Sequence, residues 1–250
     1  MLPFTINDIK ILADESKYNI YMNNTIKTRI TKQDIVKERS SNVYYQIQSN
    51  LSAPMRNFHN FIKSNIIYIY CSEKTHKLDH LEIGIGRGGE LLKLYHAKVN
   101  SIVGLDVDYE GIYSATDGVI SRYTTMKRKM PNFPKSTFLI ADAGIKLNYN
   151  DQEKNMGSIS DENKATIKKI FGTTETDTNF STFDIFSCQF MLHYLFKTNE
   201  IWNNFCFNVN KYLKPNGYLL ITTMDGNLLN NSFGWLLNHQ HRYMVFIFLP

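Results

Sequence analysis

Cysteine is scarce in these 250 residues: Cys71, Cys188 and Cys206 are odd in number and far apart. Neither a paired disulfide framework nor a CxxC metal clamp is available, and a reducing compartment is expected. Long hydrophobic runs are missing too. No stretch approaches the roughly 18 to 20 uncharged apolar residues of a membrane span, and the opening MLPFTINDIK has polar and acidic residues where a signal peptide needs an apolar run. A soluble chain with no membrane partner is expected. With 6 Pro and 13 Gly, collagen-like and low-complexity architectures are excluded. Neither sign of charge dominates, since 28 basic residues against 23 acidic leave +5, an excess that favours polyanions only if it is clustered on one face. What is present is a globular composition, 43% hydrophobic with 15 Tyr and 16 Phe, enough for one large domain or one domain plus an arm.

Residues 1–50 are polar and mixed, and YNIYMNNTIKTRI alternates weakly, so an N-terminal arm or extension is expected there and the main domain over 51–250. After Pro54, Met55, Phe58, Ile62, Ile66 and Ile69 recur at helical steps and predict an amphipathic helix. Arg56, His59, Asn60 and Lys63 lie off that stripe, with His59 and Lys63 one turn apart on a shared face. Five short apolar runs follow, at 81–83, 101–105, 137–140, 183–186 and 218–221, separated by helix-length segments that include 90–96, 109–130 and 200–213. Strands alternating with helices predict a doubly wound, mostly parallel sheet. Between 148 and 182 the composition turns polar, which predicts a solvated insertion or mobile loop with a short helix over 163–171.

The segment LEIGIGRGGELLKLYHAKVNSIVGLDVD, residues 81–108, places Gly84, Gly86, Gly88 and Gly89 between a strand and a helix. Missing side chains there allow a tight turn and a close ligand. Asp106 closes the next strand, where a carboxylate can accept both hydroxyls of a ribose. Gly84, Gly86 and Gly89 also satisfy GxGxxG, so a dinucleotide remains open on spacing alone. Glu82 favours a different ligand: a carboxylate entering the loop suits the ammonium group of S-adenosylmethionine, which has no pyrophosphate to cradle. A glycine turn with no ligand is the bland alternative.

RNFHNFIKS (56–64), LEIGIGRGGELLK (81–93), LDVD (105–108), SRY (121–123), FLIADAG (138–144), SCQFMLHYLF (187–196) and YLKPNGYLLITTMDG (212–226) together resemble the mRNA cap guanine-N7 methyltransferases, in their large-DNA-virus branch. The first and sixth motifs are particular to that family among methyl-donor enzymes, while glycine loops are generic. The resemblance implies a class I S-adenosylmethionine-dependent methyltransferase with a Rossmann-like fold and transfer of methyl to N7 of the cap guanine. Carried over by position, it makes Lys63, Gly84, Asp106, Asp142 and Gln189 the S-adenosylmethionine contacts, beside Glu82 and Gly86, with Tyr194 closing over that ligand. It places His193 at the cap guanine, Phe190 in the pocket wall, and Arg87, Lys93 and Arg122 along the cap and its triphosphate.

The chain also departs from the family. His59 stands where the family usually has a cap-contacting Asn, while Asn60 matches. After Gly226 the family continues through an insertion bearing a glutamate for the guanine edge, so the C-terminal part is expected to be shortened. RYMVFIF resembles the closing strand, and Tyr243 then falls where a cap-contacting tyrosine is expected. No acid-base triad is needed, because guanine N7 attacks the sulfonium methyl without a general base and positioning can supply roughly 7 to 11 kcal/mol.

Bland readings stand beside these. Asp106 and Asp142 could cap turns, His193 alone would more often be structural, and Phe183, Phe186 and Phe190 could be core. Lys127, Arg128 and Lys129 read as a solvated face, with RNA tracking as the alternative. His239 and His241 lack further spaced ligands, so no zinc site is expected. Two function classes follow: a cap methyltransferase acting on a capped mRNA 5′ end, or an impaired methyltransferase-fold module that holds RNA or donor and stimulates a capping complex. Fused triphosphatase and guanylyltransferase domains or an activating subunit are the partners implied, and the host cytoplasm or a virion the location.

Overall fold

The structure, a computed structural model, describes residues 53–72, 76–156, 159–224 and 243–248; the expected arm over 1–50 lies outside them. The chain divides into two compact units, residues 1–69 and 70–250. Helix α1 (Ala53–Ser72) runs through that division. In its first-unit part Ile62 and Ile66 of the expected stripe are buried, and so are Phe61 and Ile67.

The second unit is built on one sheet. Its strands are β1 (Asp79–Ile83), β2 (Ser101–Asp106), β3 (Lys135–Ile140), β4 (Phe183–Gln189), β5 (Leu213–Met224) and β6 (Tyr243–Phe248), in the spatial order β3-β2-β1-β4-β5-β6. The first five are parallel and β6 returns antiparallel against β5. The order reverses direction between β1 and β4, and a crevice opens at the carboxyl ends of the strands on either side of such a switch. One face of the sheet carries Leu81, Ile83, Leu105, Phe186, Cys188 and Ile221 into a core closed by Phe171, Phe205 and Tyr212. Burying an aromatic of that size contributes roughly 1.5 to 3 kcal/mol. Tyr212 meets its polar requirement by donating its hydroxyl to the Phe171 carbonyl at 3.0 Å.

Between the strands lie α2 (Leu91–His96), α3 (Tyr109–Tyr113), α4 (Val119–Lys129), α5 (Tyr149–Met156), α6 (Asp161–Phe171), a 3-10 helix (Leu192–Phe196) and α7 (Asn199–Tyr212). Two expectations are refined. The helix-length segment at 109–130 holds two helices, parted at 114–118, where Ser114 donates to Asp117 at 2.7 Å and the Gly118 N–H to the Ser114 carbonyl at 3.0 Å. The segment 148–182, expected as a solvated insertion or mobile loop with a short helix over 163–171, carries that helix as α6, with Ile167, Ile170 and Phe171 in the core, and adds α5, which was not expected. Its polar composition hid the packing because the buried apolar residues of α6 share a single face, and because two of the segment's polar residues, Gln152 and Asn163, are themselves buried.

Candidate functional site

Four strand ends of the second unit bring the chemistry to one edge of the sheet. After β1 the chain turns through Gly84 (φ +70) and Gly86 (φ +50), backbone that L side chains rarely adopt. A Cβ on Gly84 would lie 2.7 Å from Met191 Cγ, so the turn packs against the segment after β4. Gly89 is different: a Cβ there would meet nothing within 4 Å. The third glycine of a dinucleotide fingerprint serves close helix packing, and this one has no such reason to be glycine.

Asp106, the last residue of β2, holds the turn in place. One carboxylate oxygen accepts the Gly86 N–H at 2.6 Å and the other the Asp108 N–H at 3.0 Å. A carboxylate has about four acceptor positions, so these two bonds do not exhaust it and room is left for a ligand's hydroxyl. Burial raises the Asp106 pKa above the ordinary aspartate value, against the pull of the Asp108, Gly86 and Val107 N–H groups.

Asp142 follows β3 and accepts the Gly144 N–H at 2.7 Å. Its backbone is fixed by side chains that the sequence reading missed. Gln152 accepts the Asp142 N–H and donates to the Asp142 carbonyl, both at 2.9 Å. Asn163 brackets Ile140 in the same way at 2.8 and 2.9 Å, and Asn208 accepts from the Leu147 N–H and donates to the Ala143 carbonyl. Among the described strands β3 lies at the sheet edge; Asn163 satisfies the backbone of its last residue, and Gln152 and Asn208 satisfy backbone groups of the loop beyond it. No local pattern marks them, since each pairs with residues 10 to 65 positions away.

Glu82 is 1% exposed and contacts His80 Nε2 at 2.8 Å through one oxygen, while its other oxygen and His80 Nδ1 are buried with no hydrogen-bond partner. A buried carboxylate oxygen left in that state is costly and calls for a donor. Glu82 pairs in register with Ser187 of β4. Above Ser187, the Gln189 amide donates to the Ser187 hydroxyl at 2.9 Å and accepts from Thr222 at 2.9 Å. The side chain of Gln189 is therefore held within the sheet. Burial, followed by the charge of Glu82, pushes the Cys71 and Cys188 thiols up, so neither is a thiolate nucleophile.

β4 ends in a strained turn. Phe190 has φ +56 and donates its N–H to the Thr222 carbonyl at 2.8 Å. This turn throws the 3-10 helix outward, where His193 packs on Tyr194 with ring centroids 4.1 Å apart and Tyr194 is 55% exposed. Partial desolvation lowers the His193 pKa, which keeps the imidazole neutral at neutral pH with one donor and one acceptor nitrogen. Val107 and Tyr109, past the end of β2, are also exposed.

The expected cations are engaged within the protein. Arg87 forms an ion pair with Asp117, and Arg122 donates to the Arg87 carbonyl at 3.0 Å. Lys93 is 8% exposed and donates to the Gly89 carbonyl at 3.0 Å, with Glu90 3.9 Å away. Asp117 is a partner that the sequence reading did not mark, and it reaches Arg87 only because the helix breaks at 114–118. His59, Asn60 and Lys63 lie in the first-unit part of α1 and are half-buried. Tyr243 opens β6, its backbone opposite Met224. Among the described residues no group of three or more His, Cys, Asp or Glu could hold a metal, and no helix is long and apolar enough to cross a membrane.

The sheet reverses its strand order beside a glycine turn after its first strand and an acid at the end of its second, which places a ligand crevice at that end of the sheet. The profile of the mRNA (guanine-N(7))-methyltransferase domain matches residues 23–241, and the chain belongs to that family. It is 38% identical over 92% of its length to a probable mRNA-capping enzyme of Acanthamoeba polyphaga mimivirus, and spans 18% of that protein. It is 26% identical over 76% of its length to mRNA cap guanine-N(7) methyltransferase 1 of Oryza sativa subsp. japonica, of which it spans 44%. The chain thus spans less than half the length of both curated relatives. The solved PH0226 protein of Pyrococcus horikoshii OT3 is similar at a TM-score of 0.45, with 16% identity over 77% of this chain and 66% of that one.

Proposed function

We propose that the chain transfers a methyl group from S-adenosylmethionine to N7 of the guanine that caps an mRNA. The observation that carries the reading is the Asp106 carboxylate, which ties down the glycine turn through Gly86 and keeps acceptor positions for a ribose. The residues fit the donor in a second respect: the buried, unpartnered oxygen of Glu82 lacks a positive or N–H partner beneath the same turn, and an ammonium group supplies one. When bound, the donor supplies an electrophilic methyl on a sulfonium sulfur.

The protein's own part is to position. Asp106 orients the ribose, Gly84 and Gly86 let the backbone approach, Glu82 offsets the ammonium charge, and Asp142 stands on the adenine side. Gln189 contributes through its backbone, because both ends of its amide are already used. Tyr194 covers the donor. Neutral His193 and Phe190 take the guanine, and Arg87, Lys93 and Arg122 face the triphosphate. His59, Asn60, Lys63 and Tyr243 complete the assignment as the family resemblance orders them. No side chain needs to remove a proton, since N7 attacks with its own lone pair; aligning it with the methyl lowers the barrier. The capped 5′ end of an mRNA is the substrate, triphosphatase and guanylyltransferase activities that make the unmethylated cap are the partners, and the host cytoplasm or a virion is the setting.

Methyl transfer from labelled donor to GpppA, read together with S-adenosylhomocysteine binding by calorimetry, tests this. Donor binding with N7-methylated product is the expected result. Donor binding without transfer would favour the RNA-holding or stimulatory module, and absence of both would remove the reading.

A further inference from the structure

At the amino ends of β1 to β3, opposite the glycine turn, lies a cavity of about 740 Å³. Lys77, Lys98 and Lys135 line it and are exposed, and no Asp or Glu is among its lining residues. Asp79, which begins β1 in register with Ser101, is turned to other partners: its carboxylate accepts from the Asn100 amide at 2.8 Å and the Ser101 hydroxyl at 2.6 Å and lies 3.6 Å from Lys214. Among the described residues the three lysines have no acid in the cavity to offset them.

The walls are firm and partly aromatic. Tyr95 stacks flat on Phe133, with centroids 5.2 Å apart and planes 5° from parallel. Beside them His96 Nε2 is buried with no hydrogen-bond partner. Desolvation lowers the pKa of that imidazole, so it is neutral at neutral pH. Lys98 sits at φ +59, its N–H donated to the Tyr95 carbonyl at 3.0 Å. Glycine is the residue most at ease in that backbone, yet this position holds a lysine charge at the cavity. Helix α4 ends nearby in Lys127, Arg128 and Lys129, all exposed. Tyr123 ties that end to β3: its hydroxyl accepts from Lys127 at 3.0 Å and from the Ser136 N–H at 3.3 Å, next to Lys135.

We propose that this cavity and the end of α4 form a second binding site, which holds backbone phosphates of the RNA downstream of the cap. The proposal rests on the reading that the substrate is an RNA 5′ end. Strands of six residues rise about 3.3 Å per residue, which puts the two ends of the sheet about 20 Å apart. A short single strand covers that distance, so one transcript reaches both. Cations that track the backbone hold a single strand without reading its sequence, and the buried Phe133 stacked on Tyr95 supports the wall beside them.

The test compares the full chain with its Lys98→Glu/Lys135→Glu and Lys98→Gln/Lys135→Gln variants. Affinity for an uncapped single-stranded RNA, read by fluorescence anisotropy across a salt series, should fall at least about tenfold in the Glu pair and less in the Gln pair. The log–log salt slope should flatten by about 1.4 for two lost phosphate contacts. S-adenosylhomocysteine binding and methyl transfer to GpppA should be unchanged in both, which also shows that they fold, while KM for a long capped RNA should rise toward that for GpppA with kcat preserved. Unchanged RNA affinity and slope would overturn the proposal. So would a polyglutamate peptide of matched charge that displaces the RNA as well as a second RNA does. If the wild-type chain binds RNA at this site but methylates no cap, the functional reading fails and the RNA site stands.

Discussion

The half of the site assigned to the donor and the half assigned to the cap are built differently. On the donor side Asp106, Gly86, Asp142 and Gln189 are fixed by backbone and amide hydrogen bonds between 2.6 and 2.9 Å, before any ligand is considered. On the cap side Tyr194 and His193 stand exposed on a short 3-10 helix, and Arg87 and Lys93 spend their charge on Asp117 and on the Gly89 carbonyl and Glu90. The donor half is pre-organised, so its ligand meets groups already in place. On the cap half the protein's internal pairs must be exchanged for the ligand's charges. Substitutions should therefore act steeply on the first half and gently on the second.

The largest effect is expected at Asp106. Asp106→Ala removes the acceptor proposed for the ribose and orphans the Gly86 N–H that shapes the turn. A hydrogen bond to a charged group is worth roughly 1.5 to 3 kcal/mol, so S-adenosylhomocysteine affinity should fall about ten- to a hundred-fold by calorimetry, with cap-analogue binding nearly intact. Acidification sharpens the same point. Because the folded pKa of Asp106 is raised, its carboxylate is protonated from a higher pH than a free aspartate, and donor affinity should decline from there. Stability of the ligand-free protein moves the other way: what this group contributes is present below the unfolded pKa and is lost as pH rises through the folded one. Thermal melts with and without S-adenosylhomocysteine should show opposite slopes across that window in the wild type and neither slope in the variant.

The sequence disclosed each half only in part. The strands at 81–83 and 101–105, the glycine turn and Asp106 are local: each is a short run whose pattern and neighbours carry its role, and the structure joins them by a bond from Gly86 to Asp106. The helix at 161–171 was legible, whereas the one at 149–156 was obscured because Gln152 looks like a loop residue until the backbone groups that it serves, on Asp142, are known. Asp117 was hidden for a related reason. It pairs with Arg87 through a helix break that periodicity over 109–130 does not show. Contacts between segments distant in sequence are what composition and spacing cannot encode, and they enter both halves: Gln152 holds Asp142 and Thr222 holds Gln189 on the donor side, and Asp117 pairs with Arg87 on the cap side.

A middle-sized effect belongs to His193. His193→Ala removes one neutral hydrogen-bonding ring from an exposed position, and a typical net hydrogen bond is worth about 0.5 to 1.5 kcal/mol. Methyl transfer to GpppA should drop a few-fold to about tenfold, with S-adenosylhomocysteine affinity within error of the wild type. The lowered pKa predicts that wild-type activity shows no His193 step at the ordinary histidine value, only one displaced to lower pH. Loss of donor binding with cap binding preserved would exchange the two halves at this residue.

The smallest effect should come from Asp117, and its sign is the more telling part. Asp117 pairs with Arg87 at the edge of the glycine turn and is itself held by the Ser114 hydroxyl at 2.7 Å. Asp117→Asn keeps that shape while removing a negative charge from beside the position assigned to the triphosphate. A partly exposed pair of this kind is worth about 0.2 to 1 kcal/mol, so affinity for GpppA should rise no more than about fivefold at low ionic strength. The gain should fade as salt screens it over a Debye length of about 8 Å under physiological conditions. Donor affinity should not move, because none of the bonds that fix Asp106 or Asp142 involves Asp117. A fall in cap affinity would mean that Asp117 aims Arg87 at the triphosphate rather than competing for it, and the cap half would then be as pre-organised as the donor half.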